Sequence, residues 1–410
     1  MMQWLQAKRL SEVHGDSFFI FDEDKFKSNF LNLSAAFNSF YSNTRIAYSY
    51  KTNYTPAICK IVNEMNGYAE VVSEMEYTLA VNLGVDYKKI IYNGPYKSFE
   101  SIRIALISGS IVNLDSMRDY YNLLVVSVEF PEKIISVAVR CNFPIGNEQP
   151  SRFGFDVDGD EFRDIMNSIK LRKNIRLSGL HCHFPDRNLD SFGVRAQKIL
   201  NLSSQLFNDP PDFLNLGGGF FSGMPDSLQK MYKMKLPSFY DYAKLIGEMF
   251  SDAFKGCRKL PILLIEPGTA LVADTFMFYT KIISIKNIRG RLIATVAGSI
   301  FNISPSARSI NLPVTILRQL SESVSESEDK FYDIAGFTCI EADYLTKELL
   351  GTMDVEDFLV YENVGSYSIV MKPPFILPNV PVLKKSSSDT AFTLIKHRET
   401  SDYIFQNFVS

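Results

Sequence analysis

Ala47-Tyr48-Ser49-Tyr50-Lys51-Thr52-Asn53 closes an alternating run that begins near Arg45, and it reads as a β-strand delivering one lysine to its C-terminal end. By itself a lysine at a strand end is a solvated charge. What surrounds the strand changes that reading. Thr55-Pro56 supplies an N-cap and a first-turn proline, Ile58, Ile61, Val62 and Met65 recur at helical spacing, and Gly67 ends the helix. Tyr68 to Val72 is the next short apolar strand. Ser73 with Glu76 then forms an S-x-x-E capping box that opens a second helix running to Gly84.

The alternation continues. Lys89 to Tyr92 is a strand, Ser98 caps a helix with Ile102, Ala105 and Leu106 on one face, and Gly109 ends it before the strand Ile111 to Leu114. Ile134 to Cys141, Leu177 to His183, Phe213 to Leu216 and Ile262 to Glu266 read as further strands. Helical patterns at Glu161 to Leu171, Leu189 to Phe207 and Tyr240 to Phe254 lie between them. With the lysine strand this gives about eight strands, the number a (β/α)8 TIM-type barrel needs, although an open doubly wound sheet alternates in the same way. Location favours the barrel, because Lys51, Arg140, His183, Gly217 and Glu266 all fall at or just after the C-terminal ends of different strands.

Beyond Thr269 the pattern is β-rich, with Phe276 to Ile285, Arg291 to Val296 and Pro313 to Leu317 and no long helix between them. The expected organisation is therefore α/β: a barrel over residues 26–268, a C-terminal β-sandwich or β-barrel domain over 269–410, and an N-terminal segment, 1–25, joining the β domain. The serine and acidic run from Ser321 to Lys330 and the serines Ser386 to Ser388 read as loops.

Composition narrows the function. A chain of 410 residues with 46% hydrophobic and 22% charged residues is globular, and a net charge of −3 offers no footprint for nucleic acid or anionic lipid. A small-molecule partner is the expectation. The N-terminus has no apolar stretch followed by a cleavage site, and no segment reaches membrane-spanning length. Five scattered cysteines, Cys59, Cys141, Cys182, Cys257 and Cys339, with no CxxC spacing, indicate neither a disulfide framework nor a structural zinc site, and so a reduced, cytoplasmic protein.

Taken together the motifs resemble the fold-type III pyridoxal-phosphate decarboxylases, the group of diaminopimelate and ornithine decarboxylases, with alanine racemase as a more distant relative. The resemblance covers nearly the whole chain. It is carried by Tyr48-Ser49-Tyr50-Lys51-Thr52-Asn53, Glu70-Val71-Val72-Ser73-Glu74-Met75-Glu76, Asn93-Gly94-Pro95-Tyr96-Lys97, Gly179-Leu180-His181-Cys182-His183, Asn215-Leu216-Gly217-Gly218-Gly219-Phe220 and Glu266-Pro267-Gly268. Later come Gly336-Phe337-Thr338-Cys339 with Asp343, Gly365-Ser366-Tyr367, and His397-Arg398-Glu399-Thr400.

The resemblance implies pyridoxal 5'-phosphate as cofactor, with Lys51 as the Schiff-base lysine, Glu266 facing the pyridine nitrogen, and His183 stacking on the ring. It implies that Gly217, Gly218, Gly219, Gly268 and Tyr367 hold the cofactor, that Glu70 stands beside Lys51, and that Cys339 is the proton donor contributed by a second subunit of a homodimer. Glu341, Asp343 and Arg152 are candidates for the substrate. Each has a plain alternative: a capped turn for Glu266, a flexible turn for the glycines, packing for Tyr367, a small buried residue for Cys339 and a solvated loop charge for Arg152. His181, two residues before His183, shares its face, and is read as a core histidine rather than half of a metal pair, since no third ligand stands at recognisable spacing.

Three departures bear on the chemistry. Phe184-Pro185-Asp186 follows His183 where the family has Gly-Ser, Thr269 follows Glu-Pro-Gly where the family has Arg, and Ile340 follows Cys339 where an acidic residue meets a distal amine. The Asn188-Leu189-Asp190-Ser191 stretch is similar to decarboxylases of specialised, siderophore-type intermediates. The expected reaction is removal of the α-carboxylate from an amino acid, diaminopimelate-like or a specialised conjugate. The alternatives are an amino-acid racemase using the same lysine and a degenerate, non-catalytic relative that binds a partner.

Overall fold

Short strands alternate with helices along the first two-thirds of the chain because runs such as Ile262-Leu263-Leu264-Ile265 are apolar on both faces, which only a sheet covered on both sides can accommodate. The computed structural model describes residues 2–146, 149–232, 235–303, 311–319, 328–389 and 391–409. Eight parallel strands close the barrel of the first unit, with a two-residue strand, Phe155–Asp156, appended to the fifth: β1 (Thr44–Ser49), β2 (Tyr68–Val71), β3 (Ile90–Tyr92), β4 (Ile111–Leu114), β5 (Ile135–Asn142), β6 (Ile175–His181), β7 (Phe213–Asn215) and β8 (Ile262–Ile265). Each pairs with its neighbour in sequence, and β8 pairs back onto β1, so the sheet closes into the expected barrel. Its interior is layered: Ala47, Ile91, Ala138 and Phe213 come from the alternate strands β1, β3, β5 and β7 and pack with Leu264 of β8. Because all eight strands are parallel, the residues at their C-terminal ends converge on one face.

This unit comprises residues 28–222 and 235–270. Two helices beyond the expected patterns, Glu23–Asn38 and Met117–Glu129, complete the alternation before β1 and β5.

The second unit comprises residues 1–27, 223–234 and 271–410. It is built on a nine-stranded sheet in which the N-terminal strand Ser17–Asp22 pairs antiparallel with Phe276–Ile288 and parallel with Val382–Lys385. Phe18, Ile20, Tyr279, Phe358, Val360 and Leu383 form its buried cluster. Residues 223–234, which the sequence reading left inside the barrel, belong to this unit. Ser386 Oγ and the Ser387 N–H donate to Asp24 at 3.2 and 2.6 Å, so that serine loop is tied down. Residues 321–327 of the acidic serine run lie outside the described residues. Among the described residues, no helix is long and apolar enough to cross a membrane.

The capping box of the helix Glu74–Asn82 is only half formed. Ser73 Oγ accepts the Glu76 N–H at 3.2 Å, but Glu76 Oε2 turns to the N–H of Val72 at 2.8 Å instead of to Ser73. Glu76 is buried, and burial pushes its carboxyl up; the Val72 N–H opposes the rise and the Glu70 charge adds to it, giving a value of about 7. A carboxyl whose folded value is raised holds its proton longer in the folded chain, so its ionisation removes stability as pH climbs from the unfolded value towards 7. Glu76→Gln keeps the acceptor and should escape this loss. Urea melts should show it gaining stability relative to the parent across that window, reaching about 3 kcal/mol above pH 7. Leu264→Ala, which empties a fully buried position in the barrel core, should cost about 3 kcal/mol in the same measurement at any pH.

Candidate active site

The register of the first two strands sets the site, because Ser49 of β1 lies opposite Glu70 of β2. The chain then tightens into a single turn, Tyr50–Thr52, which carries Lys51 over the strand end. Lys51 Nζ meets Glu70 Oε2 at 2.5 Å and Ser49 Oγ at 3.2 Å, while Ser49 Oγ itself donates to Glu70. Glu70 is buried and the lysine partly exposed, so the carboxylate is the fixed member of the pair.

Glu266 follows β8 and is also buried. Its Oε1 accepts from Asn93 Nδ2 at 2.8 Å and from Asn215 Nδ2 at 2.7 Å. Asn93 uses its second N–H on Glu70 Oε1 at 2.9 Å, so one amide bridges the two carboxylates, and Asn113 Nδ2 fixes the orientation of that amide by donating to Asn93 Oδ1 at 2.6 Å. Burial opposes ionisation of Glu266, but the imidazole of His181 beside it and the charge of Lys51 outweigh it and hold the carboxylate well below the usual range.

His181 is therefore not a simple core residue. Its Nε2 stands 3.5 Å from Glu266 Oε2, an ion-pair separation, and neither ring nitrogen has a hydrogen-bond partner among the described residues. His183 is different. Its Nδ1 accepts the Gly218 N–H at 3.1 Å, which requires a lone pair there and leaves the proton on Nε2. Burial, together with the Lys51 charge, lowers its basicity in agreement with that neutral form.

Two of the three glycines are demanded by contact and the third by its backbone conformation. A Cβ on Gly217 would lie 2.5 Å from the Cys182 carbonyl oxygen, and one on Gly218 would lie 2.2 Å from that of Glu266. Gly219 has φ +104°. The N–H groups of Gly219 and Phe220 meet no acceptor among the described residues, whereas those of Gly217 and Gly218 are used by Asn215 Oδ1 and His183. Gly268 is a packing requirement, since a Cβ there would meet Thr52 Oγ1 at 2.0 Å. Thus Lys51, Glu70, His183, Glu266 and the glycine turn come together on one end of the barrel. Arg152 is exposed and lies over the Phe153 ring, 4.0 Å from its centroid, in the wall of a cavity of about 1040 Å3 that also includes His183, Phe143 and Phe184.

The remaining candidates belong to the β unit. Cys339 and Glu341 are exposed on the turn after Gly336. Asp343 is a correction: its buried carboxylate accepts from Ser299 Oγ at 3.1 Å, Ile300 N–H at 2.8 Å and Thr338 Oγ1 at 2.7 Å, so it holds the Cys339 turn together and has no substrate-binding capacity to spare. Tyr367 adopts φ +65°, a conformation costly for a residue with a Cβ.

Sequence reasoning missed Asn93, Asn113 and Asn215 as functional groups. Their signal was a polar amide at or near the end of an apolar strand, where burial forces such a group to find partners. The barrel residues fit pyridoxal phosphate. A lysine amine, a buried carboxylate held ionised, a neutral imidazole and a turn with two unsatisfied N–H groups supply the donors and charges that its aldehyde, pyridine nitrogen, ring face and phosphate require.

The family model for the pyridoxal-dependent decarboxylases, pyridoxal binding domain, matches residues 24–273. A probable chloroplastic diaminopimelate decarboxylase of Oryza sativa is 27% identical over 87% of this chain and 72% of its own length. The diaminopimelate decarboxylase of Methanocaldococcus jannaschii is 26% identical over 98% of this chain and 93% of its own. In three dimensions the chain is similar to a crystal structure of the M. jannaschii diaminopimelate decarboxylase, with a TM-score of 0.85 at 22% identity over 98% of this chain and 94% of that one. It is also similar to a lysine/ornithine decarboxylase of Vibrio vulnificus solved with cadaverine, with a TM-score of 0.75 at 18% identity over 93% and 97%. The chain belongs to the pyridoxal-dependent decarboxylase family, and is a pyridoxal 5'-phosphate-dependent carboxy-lyase acting on an amino acid.

Proposed function

We propose that the chain removes the α-carboxylate of diaminopimelate or a closely related amino acid, with Lys51 as the residue that carries the cofactor. The observation that supports this best is the single Asn93 amide held between Glu70 at the lysine and Glu266 at the far side of the site. Bound pyridoxal phosphate supplies the electron sink for the pair left behind as carbon dioxide departs. Everything else is the chain's own. Glu70 and Ser49 hold Lys51 Nζ and give its proton a place to go, so that the amine can act as a nucleophile. Glu266, kept ionised, holds a proton at the pyridine nitrogen. His183, neutral, offers a ring face for stacking without a competing positive charge.

Gly217, Gly218, Gly219, Gly268 and Tyr367 are assigned to the cofactor, with the strained backbone of Tyr367 supporting a functional constraint there. Cys339, exposed and on a turn braced by Asp343, is assigned as the proton donor to a neighbouring copy, which makes the working unit a homodimer with sites at the subunit interface. Glu341 and Arg152 are assigned to the substrate. A cytoplasmic location rests on the cysteine pattern.

The second reading is a larger amino-acid conjugate. It is favoured by the cavity of about 1040 Å3 beside His183, with its Phe143 and Phe184 walls, and by Ile340 where a distal amine would need an acid. Borohydride reduction of the protein with pyridoxal phosphate, followed by peptide mapping, should fix the cofactor on Lys51; an unmodified Lys51 at saturating cofactor would end the proposal. Carbon dioxide release from a panel of free and acylated amino acids then separates the two substrates. Glu266→Gln should lower kcat by about a hundredfold or more while leaving the lysine adduct intact, because losing a buried charge that acts on the reacting system costs several kcal/mol.

A further inference from the structure

Arg195 is a buried cation that no carboxylate meets in a direct ion pair among the described residues, although the Asp186 charge acts on it through space. It stands on the helix Leu189–Leu206 and is 0% exposed. Its hydrogen bonds go only to neutral groups: Nε to Ser191 Oγ at 3.1 Å, Nη1 to the Gly218 carbonyl at 3.0 Å, and Nη2 to the carbonyls of Phe184 at 3.1 Å and Asp186. The Phe192 ring packs against the guanidinium at 4.2 Å. Among the described residues Arg195 forms no ion pair with a carboxylate. A guanidinium so placed is a buried positive charge held by neutral acceptors, an arrangement that can fix a geometry.

The geometry it fixes is that of the glycine turn. A peptide plane points its C=O and its N–H in opposite directions, so drawing the Gly218 carbonyl onto Arg195 turns the Gly219 N–H the other way. That N–H and the next, on Phe220, are the two of the turn that meet no acceptor among the described residues. The same guanidinium clamps the segment Phe184-Pro185-Asp186 through the carbonyls of Phe184 and Asp186. Two successive N–H groups backed by a buried cation make a receptor for a compact anion.

We propose that Arg195 is a positioning residue for a phosphate monoester: through Gly218 it aims the Gly219 N–H, which stands next to that of Phe220, and through its charge it favours the dianion. This deepens the functional reading above and rests on it, since the phosphate in question is that of the cofactor.

The test compares pyridoxal phosphate with pyridoxal, titrated spectroscopically into the apo forms of the parent protein, R195Q and R195K. The parent should prefer the phosphorylated form. R195Q should lose about ten- to a hundredfold of that preference, with pyridoxal affinity moving only a few-fold, because one charge is removed from a poorly screened site. R195K, which keeps the charge and loses the fork of hydrogen bonds, should bind both more weakly and lose a smaller part of the preference than R195Q. Equal weakening of both ligands in R195Q would mean that Arg195 only braces the fold and would overturn the proposal, as would no change in either. If R195Q fails to give a cooperative thermal transition, R195K decides alone, and a phosphate preference left unchanged there overturns the proposal. A parent protein that takes up neither ligand defeats the functional reading instead, so the two failures are distinct.

Discussion

Two buried carboxylates share one amide. Asn93 donates to both Glu70 and Glu266, and the rest of the barrel end is arranged to make that tolerable. Negative charges so close in a medium of low dielectric repel strongly, and each needs its own compensation. Glu70 has Lys51 and a serine hydroxyl; Glu266 has a second asparagine and two imidazoles within reach. Removing any one of these partners would shift the ionisation of the others, so the site behaves as one electrostatic object whose parts come from six strands.

This arrangement explains how a lysine can be both held and available. A fully buried lysine would lose its charge to desolvation, and a free one would be solvated and unreactive. Lys51 stands between these limits, partly exposed on a short turn yet paired at 2.5 Å with a carboxylate that cannot move. The glycine turn shows a similar division of labour, since contact with backbone oxygens excludes side chains while the N–H groups of Gly219 and Phe220 meet no acceptor among the described residues.

Much of the barrel was legible because each parallel strand is a short apolar run with a helix signal after it, and the chemistry-bearing residues stand where the runs stop. Lys51, His183 and Glu266 were readable from that rule together with their motifs. The asparagines were not, because an amide at a strand end looks like an ordinary turn residue until its partners, far away in sequence, are known. Arg195 was hidden inside an amphipathic helix whose pattern explained everything except its charge. Asp343 was misread for a related reason: its motif neighbours pointed to substrate, but the hydroxyl of Ser299, 44 positions earlier, takes the carboxylate. Residues 223–234 carry no composition shift that would mark their departure from the barrel unit.

The strand Ser17–Asp22 has a consequence for how the chain is made. Its hydrogen-bonding partners are Phe276–Ile288 and Val382–Lys385, so on the ribosome it emerges long before either. At translation rates of roughly 5–20 residues per second, the sequence Phe18-Phe19-Ile20-Phe21 waits ten seconds or more as an unpaired apolar edge while the barrel strands are completed behind it. Until Phe276–Ile288 has been made this aromatic strand has no partner, so a growing chain presents it to whatever binds short apolar segments.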